Sequence, residues 1–226
     1  MRNSSERKGN GNTTSFSPRQ LAVFTVLVGA LVAAGYFGVD LPVARTGRDL
    51  DVNIVNVFQY ITVLGEAGWY LVGTALLGLL FHFFWKREEW ARRCLFIFTA
   101  IAASGLITDL IKWLMGRWRP KAYFDQQIYG FGLFGSGYEQ TSFPSGHATT
   151  VWALSLSLAV IFPRYRFLWY GLAIIVSISR MVVGAHYLSD ILAGLYVAAM
   201  TVNFLRDRPL FRRYLGGGVV SRERLP

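Results

Sequence analysis

Three short strings, in order along the chain, carry the side chains of a phosphate-handling site: Lys112-x6-Arg119-Pro120, Pro144-Ser145-Gly146-His147, and Ser179-Arg180-x5-His186-x3-Asp190. They supply three cations, two imidazoles, a carboxylate and a glycine-containing turn. This is the inventory for gripping a tetrahedral phosphoryl group, attacking it and protonating what leaves. His186 and Asp190 are spaced i, i+4, so on a helix they share one face. A carboxylate there accepts Nδ1–H, fixes the tautomer and leaves Nε2 free to attack. The same pair would equally hold a turn between two helices.

His147 follows Pro144-Ser145-Gly146, where a loop becomes a helix. Free N–H groups at that helix start, with the Ser145 hydroxyl, form an anion site. Gly146 lets the backbone approach the phosphate and Pro144 sets the angle of the chain. His147 is then placed to protonate the leaving oxygen. Taken alone, Pro-Ser-Gly is an ordinary helix-start turn. Lys112, Arg119 and Arg180 would neutralise the phosphate oxygens and the added charge of a five-coordinate transition state. Snorkelling at a membrane surface is the competing explanation for outward cations, and Arg117 and Lys121 fit it better. Asp109, three residues before Lys112, is spaced for a helical salt link to it.

The composition says what must position these residues. Of 226 residues, 53% are hydrophobic and 16% charged, where a soluble domain carries about a quarter charged. The length suits one helical bundle. A net charge of +10 and a pI near 10.0 would, in a soluble chain, point to nucleic acid. The lone Cys94 excludes an intrachain disulfide and a cysteine-based metal cluster.

Residues 1–20 read as a flexible basic tail. Leu21–Val39 then runs without a charge, long enough to cross a hydrocarbon core that needs roughly 20 residues. Val32-Ala33-Ala34 resembles a signal-peptide cleavage site, but the apolar stretch is longer than such peptides carry. Asp40–Asn56 is a mixed polar connector, and Glu66 is interfacial. Further apolar runs follow at Ala67–Trp85, Cys94–Met115, His147–Phe162, Phe167–Ala185 and Tyr187–Leu205. Between them lie the charged cluster at 86–93, a loop over 116–146 rich in Gly and aromatics, and a short basic turn at 164–166. Residues 206–226 form a second basic tail containing Gly216-Gly217-Gly218. The loop aromatics, among them Tyr129, Phe131, Tyr138 and Phe143, read first as an interfacial belt. A groove wall for lipid chains is the sharper alternative.

The expectation is an all-α integral membrane bundle of six transmembrane helices spanning 21–205. Six spans put both termini on one side, and 16 of the 23 Lys and Arg fall there. The positive-inside bias makes that side cytoplasmic, so topology accounts for the basic balance and no nucleic-acid partner is expected. The seven on the other side are Arg45, Arg48, Lys112, Arg117, Arg119, Lys121 and Arg180. All three strings fall at that same extracytoplasmic face, where helix ends can converge on one small ligand.

The ordered trio resembles the type 2 phosphatidic acid phosphatase (PAP2) superfamily, over roughly Cys94–Leu205 and without a departure in any string. The resemblance implies a reaction needing neither metal nor cofactor and passing through a phosphohistidine on His186. It implies that His147 is the general acid, that Asp190 orients His186, and that Lys112, Arg119, Ser145, Gly146 and Arg180 bind phosphate. It further implies hydrolysis of a lipid phosphomonoester or pyrophosphate in the bilayer: phosphatidate, phosphatidylglycerophosphate, undecaprenyl pyrophosphate or a lipid A phosphate. The compact form with short tails is similar to bacterial members, which places the chain in a cytoplasmic membrane with the site facing the periplasm or exterior. Lipid-to-lipid phosphoryl transfer through the same site is the alternative. The soluble haloperoxidase members and a non-catalytic carrier fit less well, given the six apolar runs and the complete His147, His186 and Asp190 set.

Overall fold

A computed structural model describes residues 16–215, which form helices, turns and a single isolated bridge between Arg117 and Phe131. Of the tail expected over residues 1–20, residues 1–15 lie outside the described residues, as does the Gly216-Gly217-Gly218 segment, whereas Pro18–Gln20 already belong to a capped helix. Helix α1 (Pro18–Ala34) opens with a reciprocal cap: the Ser17 hydroxyl accepts the Gln20 N–H, and the Gln20 side chain accepts the Ser17 N–H at 2.9 Å. That pairing satisfies two of the donors a helix start leaves free.

The expected connector over Asp40–Asn56 is mostly helical. α1 continues through a wide π turn (Gly35–Val39) into α2 (Asp40–Arg48). Pro42 has no N–H for the carbonyl of Gly38 four residues back, and the widened turn sits immediately before it. α3 (Val52–Val63) starts where the Asp51 carboxylate accepts the Asn53 N–H at 2.7 Å. A turn through Gly65 leads into α4 (Ala67–Phe83).

α5 (Glu88–Met115) begins ahead of the apolar run that starts at Cys94. Of the charges expected in a loop over 86–93, Glu88, Glu89, Arg92 and Arg93 instead build its first turns, with Glu88 bonded to Arg92 at 2.7 Å and Glu89 to Arg93. Acids at a helix start and i, i+4 pairs of this polarity both favour the helix. The 116–146 loop contains α6 (Pro120–Gln126) and a 3-10 turn at Tyr138–Gln140. α7 (Gly146–Ile161), α8 (Arg166–Val182) and α9 (Leu188–Arg206) complete the bundle. The start of the second tail is also ordered: α10 (Pro209–Leu215) buries Phe211 and Leu215 against Phe96, because those two apolar residues share its inner face.

Six helices thus occupy the six apolar runs. Four described stretches are long and apolar enough to cross a membrane alone: Pro18–Arg48, Val52–Phe83, Glu88–Met115 and Leu188–Arg206. α7 and α8, with 16 and 17 residues, reach about 24–26 Å at 1.5 Å per residue. α7 is the hub, packed against α5, α8 and α9, while α1 lies along α9 and α4 along α5. The buried seams use small residues, including Ala100, Ala148, Ala153 and Ala198, which let helices approach closely where lipid removes the hydrophobic drive between them. The closest approach is at Gly194 of α9, where a Cβ would stand 2.8 Å from the Ser145 carbonyl and 3.0 Å from Thr149 Oγ1. Thr108 and Thr149 bond at 3.0 Å and tie α5 to α7.

Candidate active site

The ends of α5, α7, α8 and α9 meet, and the three strings meet with them. α5 stops at Gly116, whose φ of +56° would strain any other residue. A Cβ there would lie 2.9 Å from the backbone nitrogens of Leu133 and Gly135. One turn earlier Lys112 leans over the start of α7, its Nζ 3.1 Å from where a Cβ on Gly146 would be. Any side chain at 146 would therefore displace the ammonium. Asp109 Oδ1 lies 3.6 Å from the same Nζ, the helical link expected from the spacing.

Arg119 is held rigidly. Nε donates to the Tyr138 carbonyl at 2.8 Å, one terminal nitrogen to the Ala185 carbonyl at 2.9 Å and the other to the Thr141 carbonyl at 3.3 Å. The Tyr138 ring covers the guanidinium at 3.8 Å. One terminal nitrogen also faces His186 Nε2 at 3.3 Å. Lys112, Arg119, Arg180 and His186 all lie within electrostatic reach of His147. Arg180 donates to Thr62 Oγ1 at 2.5 Å.

His186 is 3% exposed, in the turn between α8 and α9. Its Nδ1 lies 2.8 Å from the Ser142 carbonyl and 3.6 Å from Asp190 Oδ2. A carbonyl only accepts, so Nδ1 carries the proton and Nε2 keeps its lone pair. Burial, with Arg119 alongside and against the pull of Asp190, pushes the His186 pKa down to about 4. The ring is therefore neutral at pH 7. The tautomer is the one expected, but its immediate partner is the Ser142 carbonyl rather than Asp190. The Asp190 oxygens are engaged elsewhere: Oδ2 accepts the Ser142 hydroxyl at 2.6 Å and the Tyr187 N–H at 2.8 Å, and Oδ1 faces Arg117. Asp190 thus fixes the segment that orients His186.

Arg117 departs most from its expectation. It is fully buried, not snorkelling. It bridges Asp190 at 2.5 Å and Asp40 at 2.7 Å, and also donates to Ser189 Oγ at 2.6 Å. Asp40 in turn accepts the Ser189 N–H at 3.0 Å. Rings of Tyr36, Tyr129, Phe131, Phe143 and Tyr187 surround the guanidinium at 4.5 to 6.0 Å. Loop aromatics read as an interfacial belt therefore form a cage for this cation. Burial works against its charge, but Asp190 and Asp40 outweigh it and raise the pKa.

Ser145 caps α7 through its hydroxyl, which faces the Ala148 N–H at 3.5 Å, and its own N–H donates to the Asp190 carbonyl at 3.0 Å. On the far side the turn between α3 and α4 closes on the site. A Cβ on Gly65 would fall 2.6 Å from the His147 ring. Gly65, Thr62, Ser142, Arg117 and Asp40 were not among the expected site residues. The only hint for Arg117 was its place two residues before Arg119.

Comparison with known proteins agrees with this arrangement. A profile of the PAP2 superfamily matches residues 93–212. Lipid A 1-phosphatase of Rhizobium etli is 34% identical over 69% of this chain and 71% of its own length. Lipid A 4'-phosphatase of Porphyromonas gingivalis is 28% identical over 61% of this chain and 60% of its own. Among solved structures, a PAP2-type phosphatidylglycerolphosphate phosphatase from Bacillus subtilis superposes with a TM-score of 0.61 at 19% identity, covering 82% of this chain and 94% of that one. LpxE of Aquifex aeolicus gives 0.57 at 18%, covering 77% and 98%. The chain belongs to the PAP2 superfamily. Within it, this is a multi-pass membrane protein and a phosphatase acting on membrane lipid.

Proposed function

We propose that this phosphatase removes a phosphate from a lipid of the lipid A class, on the extracytoplasmic face, through a phosphohistidine on His186. The observation that carries the reading is the unprotonated Nε2 of His186, its tautomer locked by Nδ1–H donation to the Ser142 carbonyl and its lone pair turned to an Arg119 N–H at 3.3 Å. Lys112, Arg119 and Arg180, with the Ser145–Gly146 start of α7, hold the phosphate oxygens and draw off charge as phosphorus becomes five-coordinate. Nε2 attacks phosphorus, the bond from phosphorus to the lipid oxygen breaks, and His147 gives that oxygen its proton. Water then attacks the phosphohistidine, His147 takes the water proton, the phosphorus–nitrogen bond breaks and phosphate leaves. The groups gathered here are mainly cationic, which suits an anion and repels a divalent metal.

The lipid A class is favoured by the names of three relatives of this chain. The excess of Lys and Arg at the opposite helix ends supports the outward-facing site, and similarity to bacterial relatives supports a cytoplasmic membrane with the site facing the periplasm or exterior. The test is phosphate release in detergent from lipid A, phosphatidylglycerophosphate, phosphatidate and undecaprenyl pyrophosphate, with EDTA and with an added acceptor lipid. Release from lipid A, undiminished by EDTA, is expected. No release from lipid A overturns the substrate class, loss in EDTA overturns the metal-free route, and transfer to the acceptor without release would make the protein a phosphotransferase.

A further inference from the structure

Of the seven cations on the site's face, the pocket takes Lys112, Arg119 and Arg180, and the ion-pair network takes Arg117. The three left over, Arg45, Arg48 and Lys121, are far apart in sequence, yet α2 and α6 bring them to one place. Arg48 and Lys121 line a cleft of about 400 Å³ together with Phe124, Asp125 and the Val183–Gly184 turn. Arg45 stands on the same helix and donates to Tyr123 Oη at 2.5 Å.

The cleft adjoins the active site through the backbone. Gly184 is two residues before His186, and Lys121 is two residues after Arg119. At 3.8 Å between consecutive Cα atoms, the cleft wall begins within roughly 8 Å of His186. Arg48 is aimed by the Phe124 ring, 4.5 Å from its guanidinium carbon. Among the described residues, neither Arg45 nor Arg48 forms an ion pair. Lys121 reaches Glu139 at 3.5 Å in an exposed contact, and such pairs contribute little in water. Asp125 is a single acid facing two lining cations and bonds to neither among the described residues, so the cleft keeps a net positive charge.

Relatives named for positions 1 and 4' of lipid A imply a substrate carrying two phosphates. Resting on the lipid A reading above, we propose that the Arg48–Lys121 cleft, flanked by Arg45, is a second anion subsite that takes the phosphate not being cleaved. One phosphate sits against His186 while the other, across the sugar backbone, is held by Arg48 and Lys121. The enzyme would then read its headgroup at two points, and the subsite would act on affinity rather than on the chemical step.

The double variant R48A/K121A tests this, because both side chains lie outside the catalytic machinery. Its kcat/KM is measured on lipid A bisphosphate and on each monophosphate, in neutral micelles and in micelles containing phosphatidylglycerol. Wild type should prefer the bisphosphate over the monophosphate that keeps only the scissile group, roughly tenfold and in KM, as charge-assisted contacts of this kind allow. The double variant should lose that preference while cleaving the monophosphate as wild type does. No preference in wild type, or an equal loss on both substrates, overturns the subsite. An equal loss that grows with phosphatidylglycerol assigns these cations to the membrane surface and also overturns it. Absence of phosphate release from any lipid A form in wild type is a separate result, which removes the lipid A reading and the subsite together.

Discussion

Arg117 and Asp190 bond at 2.5 Å with no solvent exposure on either side chain. Asp40 closes the other side of the guanidinium at 2.7 Å, also fully buried. One cation thus joins α2, the loop after α5 and the start of α9, behind His186 of the candidate site. Removing the cation leaves two buried carboxylates without their counter-ion, which costs about 3–5 kcal/mol for a broken buried pair. Arg117→Met should lower the thermal midpoint in detergent sharply and abolish turnover. Arg117→Lys should rescue little, since an ammonium lacks the fork that spans two carboxylates. Asp40→Asn should cost less than Arg117→Met, because Asp190 stays paired. A stable and active Arg117→Met protein would refute the bridging role.

His186→Ala should abolish phosphate release while leaving the thermal midpoint within about 1 kcal/mol equivalent of wild type, as expected for a group whose task is chemical. His147→Ala should lose less on substrates with good leaving groups, which need little help from an acid. The two readouts are release rates on an aryl phosphate and on a lipid phosphate. Substantial activity in His186→Ala contradicts the nucleophile assignment.

Burial first lowers the His186 pKa to about 4, Asp190 pulling against it and Arg119 adding to it. Its neutral form holds the lone pair, so protonation removes the nucleophile. The ring should stay neutral as pH falls through the ordinary imidazole value near 6.5 and gain a proton only near pH 4. With 3 His in the chain, the Hε1 resonance of His186 can be assigned by its loss in His186→Gln and followed against pH. A midpoint near 6.5 would contradict the buried, Arg119-flanked setting.

Two glycines should behave differently. At Gly194 a Cβ meets backbone, the Ser145 carbonyl at 2.8 Å and the Thr149 nitrogen at 3.1 Å, so α7 and α9 must part. Gly194→Ala should cost about 1–3 kcal/mol of stability, in the range of overpacked cores. At Gly65 the Cβ meets the His147 ring instead. Gly65→Ala should leave stability nearly unchanged but slow turnover by roughly ten- to a hundredfold through a displaced acid. Equal thermal shifts in the two variants would contradict this division.

The three strings that converge at the candidate site were legible because their residue types and short spacings stand out locally. Lys112 to Arg119, Ser145 to His147 and His186 to Asp190 each lie within one loop or a few helical turns, and each abuts an apolar run long enough to be a helix. The apolar runs likewise predicted six packed helices and an all-α fold. Where charge interrupted apolarity, the reading failed. Glu88 to Arg93 and Asp40 to Arg48 were expected as loops and are helices, since i, i+4 pairs hold the first set and Asp40 is matched by Arg117 from another element.

The sequence by itself determined the membrane bundle, the candidate site strings and their common face, all carried by local pattern. Only the tertiary structure decided who holds whom. Arg117 meets Asp40 across 77 positions, His186 is oriented by the Ser142 carbonyl 44 positions away, and Gly65 walls His147. A charged residue's type says that burial requires a partner; which partner depends on helix packing, and no local spacing encodes that. The cleft at Arg48 and Lys121 arises in the same way, from two helices that packing alone brings together beside His186.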